Sequence, residues 1–88
     1  MRTLYYFEAD FGRMGTIDGI FVADDKKVKG AIGKTAYFGE ILGKHSDIAK
    51  KLEEKDFLVA TTDQNFISYF VKIFGKHATG YNPLDYVD

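Results

Sequence analysis

The chain is expected to form a small α+β domain, with an about four-stranded, mainly antiparallel sheet and one short and one longer helix packed on one face. Three observations predict this. Short apolar runs rich in aromatic and β-branched residues alternate with Gly- and Asp-containing breaks, as strands do. Two segments, "FVADDKKVKGAIGK" (21–34) and "FLVATTDQNFISYFVKIFGK" (57–76), each pass from such a run into helical spacing. Six Tyr and eight Phe in 88 residues supply the ring area that a core of this size needs, with no Cys to staple it.

In order along the chain, "TLYYFEA" (3–9) reads as a strand, and the glycine-rich "DFGRMGTIDG" (10–19) as a wide connection. "IFVA" (20–23) is a second strand. Asp24 stands where a helix N-cap belongs, with Val28, Ala31 and Ile32 on one face and Gly33 as the stop. "AYFGEIL" (36–42) is a third strand. Ser46 can cap a short helix through "DIAKKLEE", which carries Ile48 and Leu52 on one side. "DFLVAT" (56–61) is the fourth strand, and Thr61 or Thr62 caps the main helix, which Gly75 ends. One domain, 1–88, accommodates everything, with 76–88 a partly irregular C-terminal tail.

Several function classes are set aside by residue type. Without Cys there is no thiolate nucleophile or thiolate metal site. The N-terminus meets Glu8 and Asp10 too early for a signal peptide, and no apolar run approaches the roughly 20 residues of a membrane span. A soluble, cytoplasmic protein is the expectation. "GKT" at Gly33, Lys34 and Thr35 resembles the end of a phosphate loop. That loop also needs a Gly five positions earlier, where Val28 stands, and a helix that begins rather than ends there. Gly33 instead suits a helix C-terminus. "DFG" at 10–12 belongs to a chain too short for a kinase. "YFGEILGKH" (37–45) and "YFVKIFGKH" (69–77) agree at six positions, but one reads as strand and the other as helix, so they do not mark a duplication.

Charge is uneven. Residues 26–55 hold eight Lys against four acids, and the remainder holds four cations against nine acids. Such segregation marks either a basic and an acidic face or simply a mixed, solvated surface. Nucleic-acid binding is not expected, because the net charge of −1 lacks the strongly basic balance that phosphate contacts demand.

Candidate binding residues come from loops and from the last helix. Arg13, between glycines, can serve as an anion contact or interface anchor. Lys44, His45 and Asp47 form a polar cluster beyond the third strand. Adjacent His, Ser and Asp cannot converge as a catalytic triad, and no spacing here is diagnostic of a metal. No catalytic residue, metal site or cofactor is assigned. The last helix is the most informative element, because Phe66, Ile67, Tyr69, Phe70, Val71, Ile73 and Phe74 cover about 200° of its circumference, and docking on a sheet needs roughly half of that. The surplus must lie under the tail, through Tyr81, Leu84 and Tyr86, or meet another molecule. The functional expectation is a non-catalytic binding module, a protein-interaction or inhibitor-type accessory protein that engages another protein or a second copy of itself, with Tyr69 and Tyr81 among its contacts. Small Cys-free, aromatic-rich domains of phages and plasmids offer a class-level analogy. The alternative is an oligomeric small-ligand binder using the Lys44–His45 loop, followed by a His-dependent enzyme.

Overall fold

The structure is a computed structural model describing residues 1–42, 47–75 and 77–87, and only the backbone at 77–79. Its centre is a long hairpin. β1 (Arg2–Asp10) and β2 (Thr16–Asp24) pair in register along nine residues each, from Arg2 opposite Asp24 to Asp10 opposite Thr16. The second strand is longer than the expected 20–23. The turn is correspondingly tight, because a 3-10 turn at Gly12–Met14 with Gly12 and Gly15 at positive φ reverses the chain within five residues.

β5 (Phe57–Thr61) joins the outer side of β1, and β6 (His77–Gly80) the outer side of β2, giving the order β5-β1-β2-β6. All pairings are antiparallel. β6 lies in the segment expected to be irregular. It docks where Gly19 faces Gly80. A Cβ on Gly19 would overlap the Tyr81 backbone, and one on Gly80, at φ 70°, would overlap Asp18. This close approach is encoded by two glycines and by no hydrophobic pattern, which is why periodicity does not reveal it.

The expected single four-stranded sheet is therefore corrected. The third expected strand leaves the main sheet: β3 (Thr35–Gly39) pairs with β4 (Ile48–Lys51) in a separate two-stranded sheet. β4 occupies the stretch expected to be a short helix. Ile48 and Leu52 are buried in either conformation, so their i, i+4 spacing does not discriminate; the pairing of Thr35, Ala36 and Tyr37 with Lys51, Lys50 and Ala49 does.

The helices also differ from expectation in placement. Alternation sends Tyr5, Phe7 and Ala9 of β1 to one face, where they meet Phe21, Val28 and Ala31, and Phe38, Ile48 and Leu52 of the small sheet. It sends Leu4 to the other face, with Val22, Ile67 and Phe70. Thus α1 (Asp25–Ala31) and α2 (Gln64–Phe74) cover opposite faces rather than one. The molecule has three layers: α2, the main sheet, then α1 with β3 and β4.

Capping fixes the helix starts. Asp24 accepts from Lys26 N at 2.9 Å, and that bond chiefly holds its carboxyl below the ordinary range. For α2 the cap is Asp63, one residue past the expected threonines, accepting from Asn65 N and Phe66 N. Gly33, at φ 90°, follows the C-cap Ile32 of α1, and Leu52 O accepts its N–H at 2.8 Å. That position is a helix end, so "GKT" opens no phosphate-binding helix.

Candidate functional site: the open flank of α2

The tail decides what remains uncovered. After Gly80 the chain turns onto the α1 side of the main sheet. There Tyr81 and Tyr86 set their rings 6.3 and 4.8 Å from Phe38, Leu84 and Val87 pack on the same cluster, and Pro83 is fully buried. Tyr81 N donates to Asp18 O at 2.9 Å. From Tyr81 to Val87 the tail thus packs into the cluster on the α1 side, and it approaches α2 only across a groove that Val71 shares with Asn82, Leu84 and Asp85. Of the two fates open to the surplus apolar surface of that helix, the described tail residues do not supply cover for Phe66, Tyr69, Ile73 or Phe74.

That surface is large. Phe66 is 52% exposed, Tyr69 64%, Ile73 55% and Phe74 57%, while Ile67 and Phe70 hold the helix to the sheet. Arg2 Nη2 donates to Ser68 Oγ at 2.8 Å, and Gln64 Nε2 donates to Arg2 O at 2.8 Å, so one flank of α2 faces the start of β1. Phe66 and Ile73 project about 140–160° around the helix from Ser68, on the flank toward the later residues of β1. Among the described residues, no second helix packs on that face of the sheet. Its side chains on this face are Tyr6, Glu8 and Asp10 of β1, Thr16, Asp18 and Ile20 of β2, and Leu58 of β5, which is 65% exposed. Helix wall and sheet floor make a step, apolar on the wall and acidic on part of the floor.

The acidic part has a defined geometry. Glu8 and Asp18 are direct cross-strand partners. The Tyr6 hydroxyl donates to Glu8 Oε2 at 2.8 Å and reaches Asp18 Oδ2 at 3.4 Å. The hydrogen bond to Glu8, reinforced by desolvation and both negative charges, pushes the Tyr6 pKa up to about 12. The phenol therefore stays protonated, a fixed donor between two carboxylates. Among the described residues, none forms an ion pair with Glu8, Asp10 or Asp18.

The residues expected from sequence fall in separate places. Tyr69 is exposed on α2, about 100° around the helix from Ser68. Arg13 is exposed at the tip of the hairpin, and Asp47 is exposed just before β4. Tyr81 is half-buried in the ring cluster around Phe38. Lys44 and His45 lie outside the described residues, as does the loop proposed for a small ligand. Sequence reading missed Tyr6, Glu8, Asp18 and Leu58. The period-2 signal is present in "YYFEAD", where positions 6, 8 and 10 share a face, but their partners Thr16 and Asp18 lie in the glycine-rich 10–19, which carries no strand signal of its own.

Other grooves lie elsewhere on the described surface. One of about 460 Å³ is bordered by Arg2, Asp24, Lys27, Asn82 and Asp85, beside the part of β2 that β6 does not reach. Another, of about 490 Å³, lies between α1 and β5 and is lined by Tyr5, Val28, Ile32, Phe57 and Val59. Among the described residues no group of His, Asp and Glu is arranged to hold a metal ion, and no helix is long and apolar enough to cross a membrane. Comparison with protein-family models, with curated proteins and with solved structures finds no match for this chain.

Proposed function

We propose that this chain is a non-catalytic binding module that engages another protein through the open flank of α2 and the bare sheet beside it. The observation that carries the reading is the exposure of Phe66, Tyr69, Ile73 and Phe74 on a helix that the tail does not cover. Contiguous apolar surface of this kind on a small domain marks a contact site, because leaving it in water forgoes the burial that stabilises both folds and complexes. The groups it presents bind by shape and desolvation. An accessory or inhibitor role suits such a surface, since occupying a partner requires area and no reacting group.

Photo-crosslinking from a benzophenone side chain at position 69, in extract of the source cells, tests the reading. A covalent adduct with another polypeptide, whether a different protein or a second copy, is the expected result. If position 69 yields no protein adduct while the same probe placed at the hairpin tip does, α2 is not the contact element.

A further inference from the structure

We infer that the partner docks with a basic amphipathic helix, whose apolar side lies against Phe66, Ile73 and Leu58 and whose Lys or Arg residues reach Glu8 and Asp18. This rests on the protein-binding reading above and adds the chemistry of the occupant. The argument is charge complementarity joined to shape. Two carboxylates directly opposite one another on neighbouring strands repel, and such pairs weaken a sheet. Here they also share one phenol donor and have no cation within ion-pair distance among the described residues. A cation arriving from outside is the group that would neutralise both. The lysines of α1 cannot do so, because that helix packs on the opposite face of the sheet.

Shape narrows the occupant further. Phe66, Ile73 and Leu58 are each more than half exposed beside Glu8 and Asp18, and a helix laid between the α2 wall and the sheet floor would have two of its sides covered. Its apolar side would meet the rings of α2, and the side about 90–100° away would meet the carboxylates. A second copy of this chain fits poorly in charge, since it would bring the same Glu8 and Asp18 with it through a two-fold axis. Basic residues at the rim would speed association and impose partner choice, while the burial of Phe66 and Ile73 would supply most of the affinity.

A display library of helical peptides, selected against the intact protein at low salt, provides the test. The readout is the composition of the binders and their dependence on two variants. Expected binders combine an apolar face with adjacent Lys or Arg. They weaken at least tenfold on Phe66→Ser/Ile73→Ser protein, and about tenfold on Glu8→Gln/Asp18→Asn protein or on raising the salt. The second variant removes a repulsion and keeps a hydrogen-bond acceptor for Tyr6 at each site, so it should melt no lower than wild type. Lost binding then cannot be ascribed to unfolding. Binders that need Phe66 and Ile73 but show no basic bias, or ignore the Glu8/Asp18 change, would overturn this inference and leave the protein-binding reading standing. Binders indifferent to Phe66 and Ile73 would overturn both. A dimer that uses this face and excludes every peptide would also overturn the inference while preserving the general reading.

Discussion

One carboxylate in the interior shows how single residues are held. Asp56 is 6% exposed; it accepts from Glu53 N at 2.9 Å and lies 3.0 Å from Lys50 Nζ, which also reaches Glu53 at 3.1 Å. Burial alone would lower the Lys50 pKa, but the hydrogen bonds and charges of Asp56 and Glu53 outweigh it and raise the group above its ordinary 10.5. Glu53 is held below its ordinary 4.5, first by the hydrogen bond from Lys50 and then by the charge of Lys55. A raised lysine stabilises fully below 10.5, and its contribution disappears as pH climbs through the folded value. A depressed carboxylate stabilises above 4.5, and its contribution disappears as pH falls through the folded value. The network is therefore complete only between those limits. Lys50→Met, which leaves the buried Asp56 charge without its cation, should cost about 1–3 kcal/mol near neutral pH. The difference in Tm from wild type should shrink above pH 10.5 and again below 4.5. A difference constant across pH would mean that Lys50 acts by packing alone.

At the scale of elements, α2 depends on its first turn. Asp63 accepts two otherwise free N–H groups, from Asn65 and Phe66, and its charge meets the positive end of the helix. Asp63→Ala should lower stability by about 1 kcal/mol and Asp63→Asn by much less, as read from denaturant midpoints. Equal losses would place the effect in the charge rather than in the cap. Much about the elements was legible in the sequence: β1, β5, both helices and the helix end at Gly33 follow from periodicity, caps and stops. What was not legible came from pairing at a distance. Whether "DIAKKLEE" becomes helix or strand is settled by β3 offering it a partner, a tertiary fact that overrides local spacing. β6 has only four residues and is seated by the Gly19–Gly80 approach, which no propensity registers. The apolar excess of α2 is legible in full, but its lack of cover depends on Tyr81, Leu84 and Tyr86 packing around Phe38, a tertiary contact that local spacing does not encode. The acidic floor went unread for a similar reason, since Glu8 and Asp18 become neighbours only once the hairpin register is known.

The whole molecule is built asymmetrically about its central sheet. The face toward α1 buries Tyr5, Phe7, Phe21, Phe38, Ile48 and Leu52 among others, with the tail sealing the edge. The face toward α2 buries only Leu4, Val22, Ile67 and Phe70, with Ile20 and Val71 partly covered. Opening free energy follows buried apolar contact, so α2 should detach as a unit below the global unfolding free energy. Because α2 lies between β5 and β6, strands at the two outer edges, its detachment need not disturb the β1–β2 hairpin. Native-state hydrogen exchange should then show α2 amides opening at lower free energy than those of β1 and β2. Ile67→Ala, which empties the centre of the smaller cluster, should cost about 2–4 kcal/mol in the opening of α2 and a similar amount in that of the hairpin, since both openings start from the same weakened native state. Phe7→Ala should lower the hairpin's opening free energy and leave that of α2 nearly unchanged, since the larger cluster stays intact when α2 detaches. The thinly anchored layer is also the one that exposes Phe66, Tyr69 and Ile73, so a partner seated on that flank would supply the missing cover and raise α2 protection toward that of the sheet. If α2 and the hairpin instead open at one common free energy and respond alike to both substitutions, the molecule is a single cooperative unit, and the exposed stripe owes nothing to weak anchorage of its helix.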